Sequence, residues 1–196
     1  MTVYPVAIRL IHWLTAILIL AQIAFALVNA VAYEQYPSLA EAVVQAHISF
    51  GALILVLTLA RIAARARQGA PALPGSMSRA ARRAVQLVHA ALYALLIALP
   101  FSGYAKLAFL DFAPVLFGVV SLPALPFNSD MANAARLFHQ GAGTLLGTLL
   151  IAHIMAALLH QRLFGSAVIG RMGWPTRPPT APQMPIPRTE KRQSGR

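Results

Sequence analysis

No cysteine occurs among the 196 residues. That excludes disulfides, thiolate-bound metals and the C-x-x-C-H attachment of haem. Charge is also scarce: 11% of residues are charged, against about a quarter in soluble domains. Acid is scarcest, with five Asp and Glu against sixteen Lys and Arg, for a net charge of +11. No internal repeat is evident. What fills the chain is apolar: 58% of residues are hydrophobic and mean hydropathy is +0.66. A membrane protein is implied. Nucleic-acid binding is disfavoured, because the basic residues fall between long apolar runs instead of along one accessible face.

Four runs are long enough to cross a hydrocarbon core of about 30 Å. They span about Pro5 to Ala30, Val43 to Ala60, Ala84 to Leu110 and Ala134 to Leu163. LDFAPVLFGVVSLPALPF, between the third and fourth, carries Pro114, Pro123 and Pro126 and predicts a partly embedded loop or surface helix, not a fifth span. Arg9 followed by an apolar run resembles a signal peptide. The run is too long for an h-region and contains His12, so it is read as a retained first helix. Fourteen of the sixteen basic residues lie at the start, between helices two and three, or from Arg162 onward; only Lys106 and Arg136 lie in the opposite connections. The positive-inside rule then places both termini in the cytoplasm. Residues 1–174 are expected to form a four-helix transmembrane domain, and residues 175–196 a proline-rich, basic, disordered cytoplasmic tail.

All six histidines, His12, His47, His89, His139, His153 and His160, fall within or at the ends of these spans. Ionisable groups in a bilayer usually face the bundle interior for a functional reason. Within the runs as bounded above there is no Asp, Glu, Lys or Arg to suggest an ion pathway, apart from Arg9, Lys106, Arg136 and Arg162 near their ends. In helix four, steps of fourteen and seven residues turn a side chain by only about −40° and −20°, so His139, His153 and His160 share a face. His139 and His153 are about 21 Å apart along the axis, too far for one metal ion but suited to two cofactors, one near each surface. Haem with two axial imidazoles explains more of these residues than any other cofactor. Zinc would want four ligands at one depth. Depth pairs His47 with His139 on the non-cytoplasmic side. On the cytoplasmic side His12, His89, His153 and His160 compete for two positions, and depth slightly prefers His12 with His89. Gly51, Gly143 and Gly147 follow His47 and His139 at one- and two-turn steps and would let a flat macrocycle approach; Gly143 and Gly147 also read as a GxxxG helix contact. Any single histidine also has a plainer role, a hydrogen bond between helices.

The segments RLIHWLTAILIL, AHISFGALILVLTLARI, LVHAALYALLIALPFSGY, FHQGAGTLLG with AHIMAALLH, and GRMGW together resemble the bacterial cytochrome b561 family over about Tyr4 to Trp174. The resemblance implies an all-α integral membrane bundle of four helices enclosing two b-type haems, related to the cytochrome b subunits of formate dehydrogenase and nickel hydrogenase. It implies His47 and His139 as ligands of the outer haem and His12 and His153 as ligands of the cytoplasmic one, overruling the depth preference. His89 and His160 then become candidates for a haem propionate or a quinone, or for structural hydrogen bonds. It also implies electron transfer in the bacterial inner membrane, with superoxide as a donor and ubiquinone as acceptor. For an anionic donor the candidate catalytic residues are Lys106 and Arg136, whose plainer role is interfacial anchoring. The alternative is a haem-bearing anchor subunit of a dehydrogenase or hydrogenase; the short loops favour a stand-alone protein. A transporter or structural bundle is the reading from a different class.

Overall fold

The computed structural model describes residues 3–69, 77–109, 114–164 and 169–173. Its helices are α1 (Val6–Ala32), α2 (Pro37–Gln68), α3 (Arg79–Ala105) and α4 (Ser129–Phe164). Each contains a window apolar enough to cross a membrane, and at most 22% of any such window is buried inside the bundle. The remaining apolar surface, including Ile17, Leu27, Val31, Leu87 and Ile151, must be solvated by lipid. The chain is a multi-pass membrane protein.

The helices outlast the apolar runs because their stop signals lie outside them. Pro37 opens α2 at the first helical position, where its missing N–H costs nothing. Gly69, at φ +73°, ends it and donates its N–H to the Arg65 carbonyl at 2.9 Å. Ser78 caps α3, its hydroxyl accepting from the Ala81 N–H, and Asn128 caps α4 by accepting from Met131 at 2.9 Å. The extra turns of α2 carry Arg61, Arg65 and Arg67 into the helix.

α1 packs on α2, α2 on α3, and α3 on α4. Among the described residues no Cα of α4 comes within 8 Å of α1 or α2. The four helices meet instead through side chains at mid-bundle, where Leu18, Ile19, Ile54, Leu95, Leu96, Ala142 and Leu146 form one apolar cluster. One end of the bundle holds the α1–α2 turn and the α3–α4 connection (the hairpin end); the other holds the first and last described residues (the terminal end).

At the hairpin end α3 runs into a 3-10 turn, Lys106–Phe109, and the described part of the connection forms a two-stranded antiparallel hairpin, β1 (Val115–Leu116) and β2 (Val120–Ser121). The surface helix allowed by the sequence is absent from residues 114–128. Phe117 (φ 53°) and Gly118 (φ 71°) supply the two left-handed positions that a tight hairpin requires. At the terminal end, Arg9 Nη1 donates to the Gly173 carbonyl at 2.7 Å, Trp13 Nε1 to Met172 at 2.8 Å, and the Tyr4 N–H to Arg171 at 3.2 Å. The segment after α4 is thereby strapped across the start of α1. Most of the expected tail, residues 175–196, lies outside the described residues.

Candidate functional site

The histidines form two groups, one on each side of the mid-bundle cluster. His47, one turn before Gly51 on α2, faces His139 of α4, with ring centres 6.2 Å apart and planes inclined at 66°. His139 is fixed from α3. Its Nδ1 lies 3.0 Å from the Leu99 carbonyl and 3.1 Å from Ser102 Oγ, which itself donates to Leu99. Pro100, the next residue, lacks the N–H that would bond the Leu96 carbonyl, which opens the α3 ladder one turn before His139's partner. With Nδ1–H donated to the Leu99 carbonyl, Nε2 keeps its lone pair, the arrangement typical of metal-bound imidazole. Gly103 completes the seat: a Cβ there would stand 3.0 Å from His139 Cε1.

Gly51 and Gly143 differ. A Cβ on Gly51 would meet the Gln22 amide nitrogen at 3.1 Å. That amide donates to the His47 carbonyl at 2.8 Å. The space beside Gly51 is therefore filled by a side chain that steadies His47. Gly143 and Gly147 have open space where a Cβ would lie, so neither is a close helix–helix contact here.

Toward the terminal end His12, His89 and His153 line a small cavity of about 60 Å³ together with Arg61 and Tyr93. The His89 and His153 rings are 5.1 Å apart and nearly perpendicular. His89 Nδ1 lies 2.6 Å from the Val85 carbonyl one turn back, which leaves its Nε2 for the cavity. His12 touches Trp13, ring centres 5.4 Å apart. His160, two turns beyond His153, does not line the cavity.

Two metal–nitrogen bonds of about 2 Å each would set opposed imidazole centres about 6 Å apart. The His47–His139 spacing meets this, and the His89–His153 spacing is about 1 Å short. The backbone of α4 stands away from α1 and α2, so a flat group clamped between His153 and His12, or between His139 and His47, would meet side chains there and not packed backbone. The residues present fit b-type haem. No group of three or more metal-ligating side chains converges on one point among the described residues, which speaks against a zinc-like site.

Lys106 begins the 3-10 turn, close enough to His47, His139 and Arg136 for its charge to act on each. Arg136 is held by Asn133 Oδ1 at 2.8 Å and Gln140 Oε1 at 3.3 Å, neutral partners that leave its charge uncancelled. Exposed Glu34, Glu41 and Asp130 sit at the same end. Sequence reasoning missed Gln22, Ser102 and Gly103, and it treated Arg61 as a flanking charge although this residue lines the cavity.

The model of the family described as prokaryotic cytochrome b561 matches residues 3–175. A protein of Yersinia pestis named "Probable superoxide oxidase CybB" is 27% identical over 162 residues, covering 83% of this chain and 90% of its own length.

Proposed function

The chain belongs to the prokaryotic cytochrome b561 family, membrane cytochromes of electron transfer with b-type haem, and from that premise we propose a di-haem protein of the bacterial inner membrane that passes electrons from periplasmic superoxide to ubiquinone. The observation that carries this reading is that α4 brings one histidine to each of two sites separated by the apolar layer around Leu146. His47 and His139 would hold the haem at the hairpin end, taken as periplasmic with both termini cytoplasmic. His12 and His153 would hold the one at the terminal end, with His89 against His153. Haem supplies reversible one-electron exchange at iron. The chain supplies the axial nitrogens, fixes the tautomer of His139 through Leu99, and excludes water with Leu, Ile and Ala between the sites.

Two superoxide anions each give up one electron and leave as dioxygen; two electrons and two protons convert one quinone to quinol. The named activity of the Yersinia pestis relative supports this donor. Exposed acids outnumber Lys106 and Arg136 at the hairpin end, so attraction of an anion would be local to the α3–α4 side.

A reduced-minus-oxidised spectrum of the purified protein should show two low-spin b haems, one missing in His47→Ala or His139→Ala and the other in His12→Ala or His153→Ala. Superoxide should drive quinone reduction, about tenfold more slowly at low salt in Lys106→Glu or Arg136→Glu with the spectrum unchanged. Normal haems that superoxide cannot reduce would discard the superoxide reading in favour of an anchor subunit.

A further inference from the structure

Arg61 lies two turns inside the end of α2 and faces the cavity lined by His12, His89 and His153. Its Nε is shielded from solvent and has no hydrogen-bond partner among the described residues. Its guanidinium carbon lies 5.7 Å from the centre of the Tyr93 ring. No hydrogen bond engages its fork of N–H donors among the described residues. The Tyr93 hydroxyl, in the same cavity wall, is also buried without a partner. Every carboxylate among the described residues, on Glu34, Glu41 and Asp130, is at the opposite end of the bundle.

This wall therefore offers donors and positive charge with nothing among the described residues to accept them. A cation so placed is unfavourable unless something paired with it arrives with the ligand. A planar fork best matches a carboxylate or a phosphate oxygen pair. Phosphate of a lipid headgroup would be met first by Arg65 and Arg67, nearer the end of α2, whereas Arg61 opens toward the imidazoles.

We propose that Arg61 and Tyr93 form an anion site for a carboxylate of the cofactor held in this cavity, a haem propionate. The assignment rests on the reading that His153 and a partner histidine hold a haem there. Arg61 is then a counter-ion that raises the potential of that haem, since a fixed positive charge favours the state with the extra electron.

The test uses the full chain, purified in detergent and titrated potentiometrically, with the two haems assigned by their loss in His153→Ala and His139→Ala. Arg61→Gln should move the midpoint of the His153-dependent haem downward by about 59 mV or more, a tenfold change in its reduced-to-oxidised ratio. The His139-dependent haem should stay where it is. Arg61→Lys, which keeps charge without the fork, should fall between, and Tyr93→Phe should give a smaller shift of the same sign. Haem-depleted wild-type protein reloaded with protohaem dimethyl ester should show this midpoint raised, because a negative charge is lost and Arg61 is left uncompensated, and the ester should raise it less in Arg61→Gln, where no cation holds the propionate in place. If Arg61→Gln fails to retain this haem while keeping the other, the ester arm decides: rejection of the ester by wild type supports the site, and normal uptake at an unaltered potential overturns it. An unshifted midpoint in Arg61→Gln, or additive effects of ester and substitution, also overturns it. If delipidation raises this midpoint and the ester does not, the anion is a lipid phosphate and the propionate assignment is wrong. Absence of any His153-dependent haem from the wild type would instead defeat the functional reading itself.

Discussion

His139 is held at Nδ1 by two groups of α3, and this makes the glycine beside its ring the more telling position. A Cβ on Gly103 would press on the ring at 3.0 Å, and the ring cannot swing away without breaking its contacts to Leu99 and Ser102. Gly103→Ala should therefore weaken retention of the haem that depends on His139 by about tenfold, the scale of a disturbed ligand support, measured as the haem-to-protein ratio during extended washing. Gly51→Ala meets only the end of the Gln22 side chain at 3.1 Å, which can rotate, and should lose much less. Equal losses in the two variants would show that the seat is not specific. The six histidines were legible in the sequence because an ionisable side chain is conspicuous in an apolar run. Gly103 was not, since the glycine after Pro100 and Ser102 reads as part of a helix kink. Arg61 was overlooked because hydropathy reports the solvent around a position and not the direction its side chain takes.

Among the elements, the helices were readable since bilayer thickness dictates their length. Their ends were not, because Gly69, Ser78 and Asn128 act beyond the hydrocarbon. The hairpin was hidden: its Phe117-Gly118 turn lacks the Asn-Gly or Asp-Gly signature, and the prolines around it suggest only irregular chain. Its seat on α2 is polar and small. Ser49 Oγ accepts from the Phe117 N–H at 2.9 Å, Gln45 Oε1 accepts from Val115 at 3.3 Å, and Phe117 packs edge-on against Phe50. The Tyr104 hydroxyl holds the Pro123 carbonyl on the far side. Ser49→Ala leaves one N–H unmatched, worth about 1 kcal/mol, so amide exchange of residues 115–121 should speed about fivefold while exchange in α3 stays unchanged. No change in the hairpin would mean that packing alone holds it.

Across the whole molecule, α4 has a single α-helical backbone neighbour while giving a histidine to each site. It rests on α3 and reaches α1 and α2 only through the side chains around Leu146. Protein made without haem should consequently lose order in α4 before α1 or α2, seen as earlier protease cleavage between Ser129 and Phe164 and a lower Tm. Uniform loosening of all four helices would contradict this. The division of α4 between the two sites also sets a clock for biosynthesis. His12, His47 and His89 leave the ribosome first, and at roughly 5–20 residues per second His139 follows His47 only after roughly 5–20 s. A nascent chain that stops before Phe138 carries a histidine for each site and a partner from α4 for neither. With the ligands as proposed, cofactor capture would be tied to insertion of the last helix, and an unfinished chain would not become a redox-active one.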